Sequence, residues 1–236
     1  MYKKFELTNE TITINEHTLY RIRAIRSFGD VKEGDLGGYV KNEFNLSQVG
    51  NCWVYDDAMV YDNARAYGEA KVYGEAKVYG EAKVYGKAKV YGEARVCGEA
   101  EVYGKAKVYG EAKVYGKAEV YGEAEVRCEA RVYGEAEVYG WATVTLEARV
   151  YGEARVYDGA EVSGYTEVYD KARVYGKAEV GVWAIVYGEA EVYGKARICG
   201  EARVHGKAKV CGKAKVCGET RFYDKAEVYD EDLAVS

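Results

Sequence analysis

The stretch AKVYGEAKVYGE, residues 70–81, contains the unit from which nearly the whole chain is built. From Val54 to Val228 every sixth residue is Val, except at Ala66, Ile198 and Phe222, giving 30 hexapeptides in one register with no insertion. A register kept this long is the mark of a solenoid. A helix is excluded, because six residues advance it by about 600°, so the Val positions would walk around the axis. The Gly in nearly every unit would also cost about 1 kcal/mol each in a helix. In an extended chain, Ala70 and Val72 share one face while Lys71 and Tyr73 share the other. Gly74-Glu75 then reads as a corner, with Gly supplying the unusual backbone conformation. Such a short strand buries its Val only if coils stack, at about 4.8 Å per coil. Each buried Val is worth about 1.5–3 kcal/mol before chain entropy is subtracted.

The number of strands per coil follows from the exceptions. From Val126 onward, one phase in three loses the Tyr after Val every time, at Arg127, Thr145, Ser163, Gly181, Cys199 and Cys217. The other two phases lose it once each, at His205 and Cys211. Defects recurring every 18 residues lie above one another on one face. The expected fold is therefore all-β, a three-sided parallel β-helix of about 10–11 coils of 18 residues, a triangular prism roughly 48 Å long.

Composition agrees. The chain has 28 Gly, 25 Tyr and no Pro, a residue unable to donate to a strand ladder. The net charge is −5 with both signs interleaved, so no basic footprint for nucleic acid is expected. The start MYKKFELTNETITI lacks the apolar core of a signal peptide, and no run approaches the ~18 apolar residues of a membrane span. A cytoplasmic protein is expected, with a phage-associated location as the alternative. The six Cys form no CxxC, and four of them replace the repeat Tyr, so reduced thiols are expected and neither a metal site nor a disulfide framework.

In pattern, with an aliphatic residue followed four positions later by a small one, as in Val72 and Ala76, the chain resembles the left-handed parallel β-helix proteins of the hexapeptide-repeat superfamily. Left-handedness is what that resemblance implies. A closer likeness, to the YdcK-type bacterial and prophage repeat proteins, runs through RAIRSFGDVKEGDLGGYV (23–40), NLSQVGNCWVYDDA (45–58) and the V-Y-G-x-A-R units.

Residues 1–35 are different in kind. TITI and LYRIRAI flank NEH and read as a β-hairpin, a capping module over the open lower edge of the prism. The array spans 36–232, with NEFNLSQVGNCW as an irregular first coil, and 233–236 are a C-terminal tail.

The resemblance brings acyltransferases with it, enzymes that generally use a His base at a subunit interface with protruding loops. His205 is the candidate here, but it stands at a Tyr position among regular repeats with no loop beside it. His17 falls in the hairpin turn. A three-His zinc site is not expected with two separated His, and no cofactor-binding pattern is present.

The apolar exceptions carry the functional reading. On the Tyr-depleted face the outward residues of three coils are Thr143 and Thr145, Glu161 and Ser163, Glu179 and Gly181, a low floor. Trp141 stands at one corner, and Leu146, Tyr165, Val182 and Trp183 stand at the other with Ile185 just beyond. Outward apolar clusters mark association. The expected function is a non-enzymatic scaffold or interaction module that self-associates or docks a macromolecular partner here. The alternatives are an acyltransferase-like enzyme, or a small ligand or glycan held between Trp141 and Trp183 with Glu161 and Glu179 as acceptors.

Overall fold

The computed structural model describes residues 3–230 and the backbone of 232–235. Three parallel sheets close a prism. Sheet I has eleven strands from Trp53–Val54 to Asp232–Val235, and sheet III has ten from Arg65–Ala66 to Glu227–Tyr229. Sheet II has thirteen, because the N-terminal strands join it. Strands pair with those one coil away at a spacing of 18, as in Lys89↔Lys107 and Val90↔Val108. The three-strand coil read from the lost tyrosines is the observed architecture.

The inward column of every sheet is Val over Val, with Ala beside it, almost all without solvent exposure. Thr166 replaces an inward Ala, and its hydroxyl donates to the Ser163 carbonyl at 2.7 Å, so no polar group is left bare. At the corners Gly adopts positive φ, for example +70° at Gly104, where a Cβ would come within 2.9 Å of the next coil's Gly122 nitrogen. Asp takes the same position at Asp56, Asp62, Asp158 and Asp170. Asp tolerates this conformation, and each carboxylate accepts from the corner N–H one coil further on, such as Gly74 at 3.0 Å from Asp56.

Outside, the tyrosines stack in ladders with ring centroids mostly 4.7–5.0 Å apart. Six of the hydroxyls, of Tyr85, Tyr103, Tyr109, Tyr121, Tyr151 and Tyr175, donate to the Glu 16 positions on, as Tyr85 does to Glu101 at 2.8 Å. Burial, with this bond, pushes their phenols up. On sheet I the ladder stops where Arg127 replaces Tyr and donates to the Tyr109 hydroxyl at 3.4 Å.

At the lower end β1 (Phe5–Ile14) and β2 (His17–Ala24) form the expected hairpin around Asn15-Glu16, both at positive φ, as a two-residue turn requires. The turn excludes His17, which instead pairs with Ile14 as the first residue of β2. β3 (Leu36–Val40) is antiparallel to β2 and parallel to Met59–Val60, so the hairpin extends sheet II at its lower edge. Lys4 is fully buried in this cap, its ammonium held by the Gly50 and Cys52 carbonyls at 3.1 and 2.7 Å and by Cys52 Sγ at 3.2 Å. At the other end, Asp232–Val235 adds a last strand to sheet I beside Lys215–Gly218.

One expectation is corrected. Cys199 and Cys217 are joined as a disulfide, with Cα atoms 4.5 Å apart, where the sequence pointed to reduced thiols. The in-register stacking of sheet I brings residues 18 apart to bonding distance, so two successive Tyr-to-Cys replacements in one column must meet. Cys52, Cys97, Cys128 and Cys211 are free. Among the described residues no helix is long and apolar enough to cross a membrane.

Candidate interaction edge

The prism edge between sheets I and II differs from the other two in its backbone. Among the described residues of the array, three at positive φ are neither Gly nor Asp: Cys128 at 59°, Leu146 at 61° and Val182 at 68°. All three occupy the same corner column of this edge, Cys128 and Leu146 in successive coils and Val182 two coils further on, past Gly164. Leu and Val gain nothing local from this conformation, and for a β-branched residue it is a true outlier costing about 1–3 kcal/mol. Replacing Val182 by Gly is therefore expected to stabilise the chain by ~1 kcal/mol. The thermal midpoint should rise by about 2–4 °C for a chain this long, as calorimetry would read; an unchanged or lower midpoint would show that Val182 is unstrained.

The strained corners hold apolar side chains in water. Leu146, Tyr165, Val182 and Trp183 are each about half exposed, at 53, 49, 51 and 54%. Tyr165 and Trp183 stack face to face with centroids 4.2 Å apart, closer than the tyrosine ladders. The Glu147 carboxylate, one coil below, raises the Tyr165 phenol. Ile185 follows on sheet II, half-buried between Glu167 and Arg203. These five residues lie on the same edge, over three successive coils.

The structure disposes the remaining candidates around these residues. Thr145 is buried, its hydroxyl 3.4 Å from Cys128 Sγ, so it fills the base of the corner, and this bond draws the Cys128 thiol below its usual value. Thr143, Ser163 and Gly181 are half-buried, and Glu161 and Glu179 are exposed, as a low floor requires. Glu179 is paired with Arg197 at 3.0 Å. Trp141, 69% exposed, stands on the edge between sheets III and I, across sheet I from Trp183. It closes one end of a groove of about 510 Å³ whose other walls are Lys87, Lys89, Lys105, Lys107, Glu123, Glu125 and Thr143.

His205 stacks between Tyr187 and Tyr223, at 4.7 and 5.6 Å, as one more rung of the sheet II ladder. No carboxylate orients it among the described residues. The histidine that has such a partner is His17, whose Nε2 lies 3.0 Å from Asp62 Oδ1, with Lys41 Nζ 3.9 Å from the same oxygen. That pair spans the cap and the second coil, a contact no local pattern signals. Among the described residues no group of His, Cys, Asp and Glu is arranged to hold a metal ion.

No protein-family model matches the chain. A stretch of 38 residues is 50% identical to the "Uncharacterized acetyltransferase YdcK" of Escherichia coli (strain K12). That stretch covers 16% of this chain and 12% of the relative, so the similarity is to a short segment of that protein.

Proposed function

We propose that this chain is a non-enzymatic β-solenoid scaffold, a member of the hexapeptide-repeat β-helix class, that binds through the edge around Tyr165 and Trp183. Its occupant is a second copy or another macromolecule. The observation that carries this reading is the concentration of apolar, half-exposed side chains on a single edge, two of them, Leu146 and Val182, at strained corner positions. Strain of this kind persists where a function retains it, and a flat strip with stacked aromatics suits a second flat surface. Changing Tyr165 and Trp183 together to Glu is expected to alter the sedimenting mass or abolish capture of a partner, with the circular dichroism of the prism unchanged. Unchanged mass and an unchanged partner profile would refute the reading.

The similarity to a segment of a protein named as an acetyltransferase supports a second reading, acyl transfer. His17 has a carboxylate beside it, Asp62 Oδ1 at 3.0 Å from its Nε2, as a general base needs, and His205 has none. Acetyl or succinyl transfer from the coenzyme thioester that disappears in His17→Ala or His205→Ala would establish the enzyme; absence of transfer in the parent chain would remove it.

A further inference from the structure

The charges along the same edge say what fits it. Sixfold repetition places two outward columns side by side here: a corner column, carboxylate from Glu75 to Glu147 and again at Glu201 and Glu219, and a sheet II column, cationic from Lys77 to Arg149 and again at Arg203 and Arg221. Where the first column changes to Tyr165 and Trp183, the second changes to Glu167 and Ile185. On the other outward columns the two signs are mixed, in runs of no more than three coils, and opposite charges one coil apart pair, as in Lys105–Glu123 at 2.9 Å, Lys83–Glu101 at 2.8 Å and Lys207–Glu189 at 3.4 Å. Along this edge each sign is kept to its own column. Among the described residues, no ion pair joins the two columns; Arg149–Glu167, within the second, is the one pair made there between coils. A row of like charges one coil apart repels itself; the opposite column beside it offsets part of this without forming an ion pair, and the apolar residues interrupt both rows.

We infer that this edge closes on a second copy of the chain lying parallel to the first, related by a two-fold axis along the prism; the inference rests on the interaction reading above. That operation exchanges the two columns and preserves height. It sets Glu147 against the second copy's Arg149, Tyr165 against its Glu167 and Trp183 against its Ile185. Every level then meets its complement: carboxylate with cation, phenol donor with carboxylate, indole with alkyl. The interface is isologous, so each pairing occurs twice. A two-fold axis perpendicular to the prism and lying in the interface would leave the columns in place and set carboxylates against carboxylates. Segregation by column, which forms no ion pair between the columns of one chain, is what a parallel pair requires, and it gives register through repulsion of the shifted alternatives.

The test is sedimentation and light scattering of the full chain at low and high salt, with two charge reversals. The parent is expected to show twice the 26.2 kDa chain mass, dissociating on dilution and more readily in high salt. Arg149→Glu and Glu147→Arg should each raise the dissociation constant by about tenfold, since one substitution spoils two symmetric pairs. The double variant should recover most of the parent affinity, because residue 147 again faces its opposite at 149. A parent that stays at one chain mass at every concentration overturns the inference. So does a dimer indifferent to both reversals, or one weakened by both and not rescued by the double variant. These outcomes are separate from failure of the interaction edge itself, which would appear as an oligomer or partner complex unaffected by Tyr165→Glu with Trp183→Glu.

Discussion

Raised above pH 10, the chain is expected to unfold in a single cooperative step, with tyrosinate absorbance and loss of β-structure rising together. The folded ladders hold their phenols protonated. Burial is the main cause, with Glu acceptors added in many, and Tyr79 is raised to about 12 by burial and the neighbouring Cys97. A group whose folded pKa is raised contributes stability that is complete below its unfolded value, near 10 for tyrosine, and lost as pH climbs toward the folded value. Each tyrosine that ionises only on unfolding removes up to ~1.4 kcal/mol per pH unit. Roughly ten acting together would exhaust a typical stability of about 5–15 kcal/mol within one to two units. Lys4 acts with the opposite sign, because burial lowers its pKa and stability gains as pH rises toward 10.5, but it is one group against three ladders. Tyrosines ionising independently near pH 10 with the fold retained would contradict the stacked, hydrogen-bonded geometry.

The second large effect is expected at the centre of the core. Val126 is fully buried on sheet I between Val108 and Val144. Val126→Asp removes about 1.5–3 kcal/mol of apolar burial and leaves a carboxyl group without a partner, a further cost of several kcal/mol. In a solenoid each coil is supported only by its neighbours, so damage there divides the array. Urea unfolding followed by circular dichroism should lose its single transition and show two, with the midpoint of the first well below the parent's. A single transition at the parent midpoint would mean that residue 126 does not face inward.

The regular part of this molecule was legible because each hexapeptide repeats one environment. Val and Ala must share the inner face, and the recurring loss of Tyr at Arg127, Thr145 and Ser163 counted three faces without any coordinates. The apolar edge was legible for the same reason, since Val182 and Leu146 stand where the repeat has Gly. That they would be strained followed once the Gly corner was found at positive φ. Contacts between distant, non-repeating residues had no such signal. The burial of Lys4 against Cys52, the His17–Asp62 pair and the joining of the hairpin to sheet II depend on packing between segments more than 40 residues apart or on the choice of sheet partner. The Cys199–Cys217 bond lay between these cases. The period of 18 placed the two thiols in one column, and it is the Cα separation of 4.5 Å that lets them join.

The central claim, that the edge bearing Trp183 is covered by a second copy, is tested most directly by fluorine NMR of the chain labelled with fluorotryptophan. It has three tryptophans, Trp53, Trp141 and Trp183, to be assigned by single changes to Phe. On raising the protein concentration, the Trp183 resonance is expected to shift and lose its sensitivity to solvent deuteration, while buried Trp53 stays fixed. A Trp183 resonance that remains solvent-sensitive and unmoved at every concentration would contradict the account.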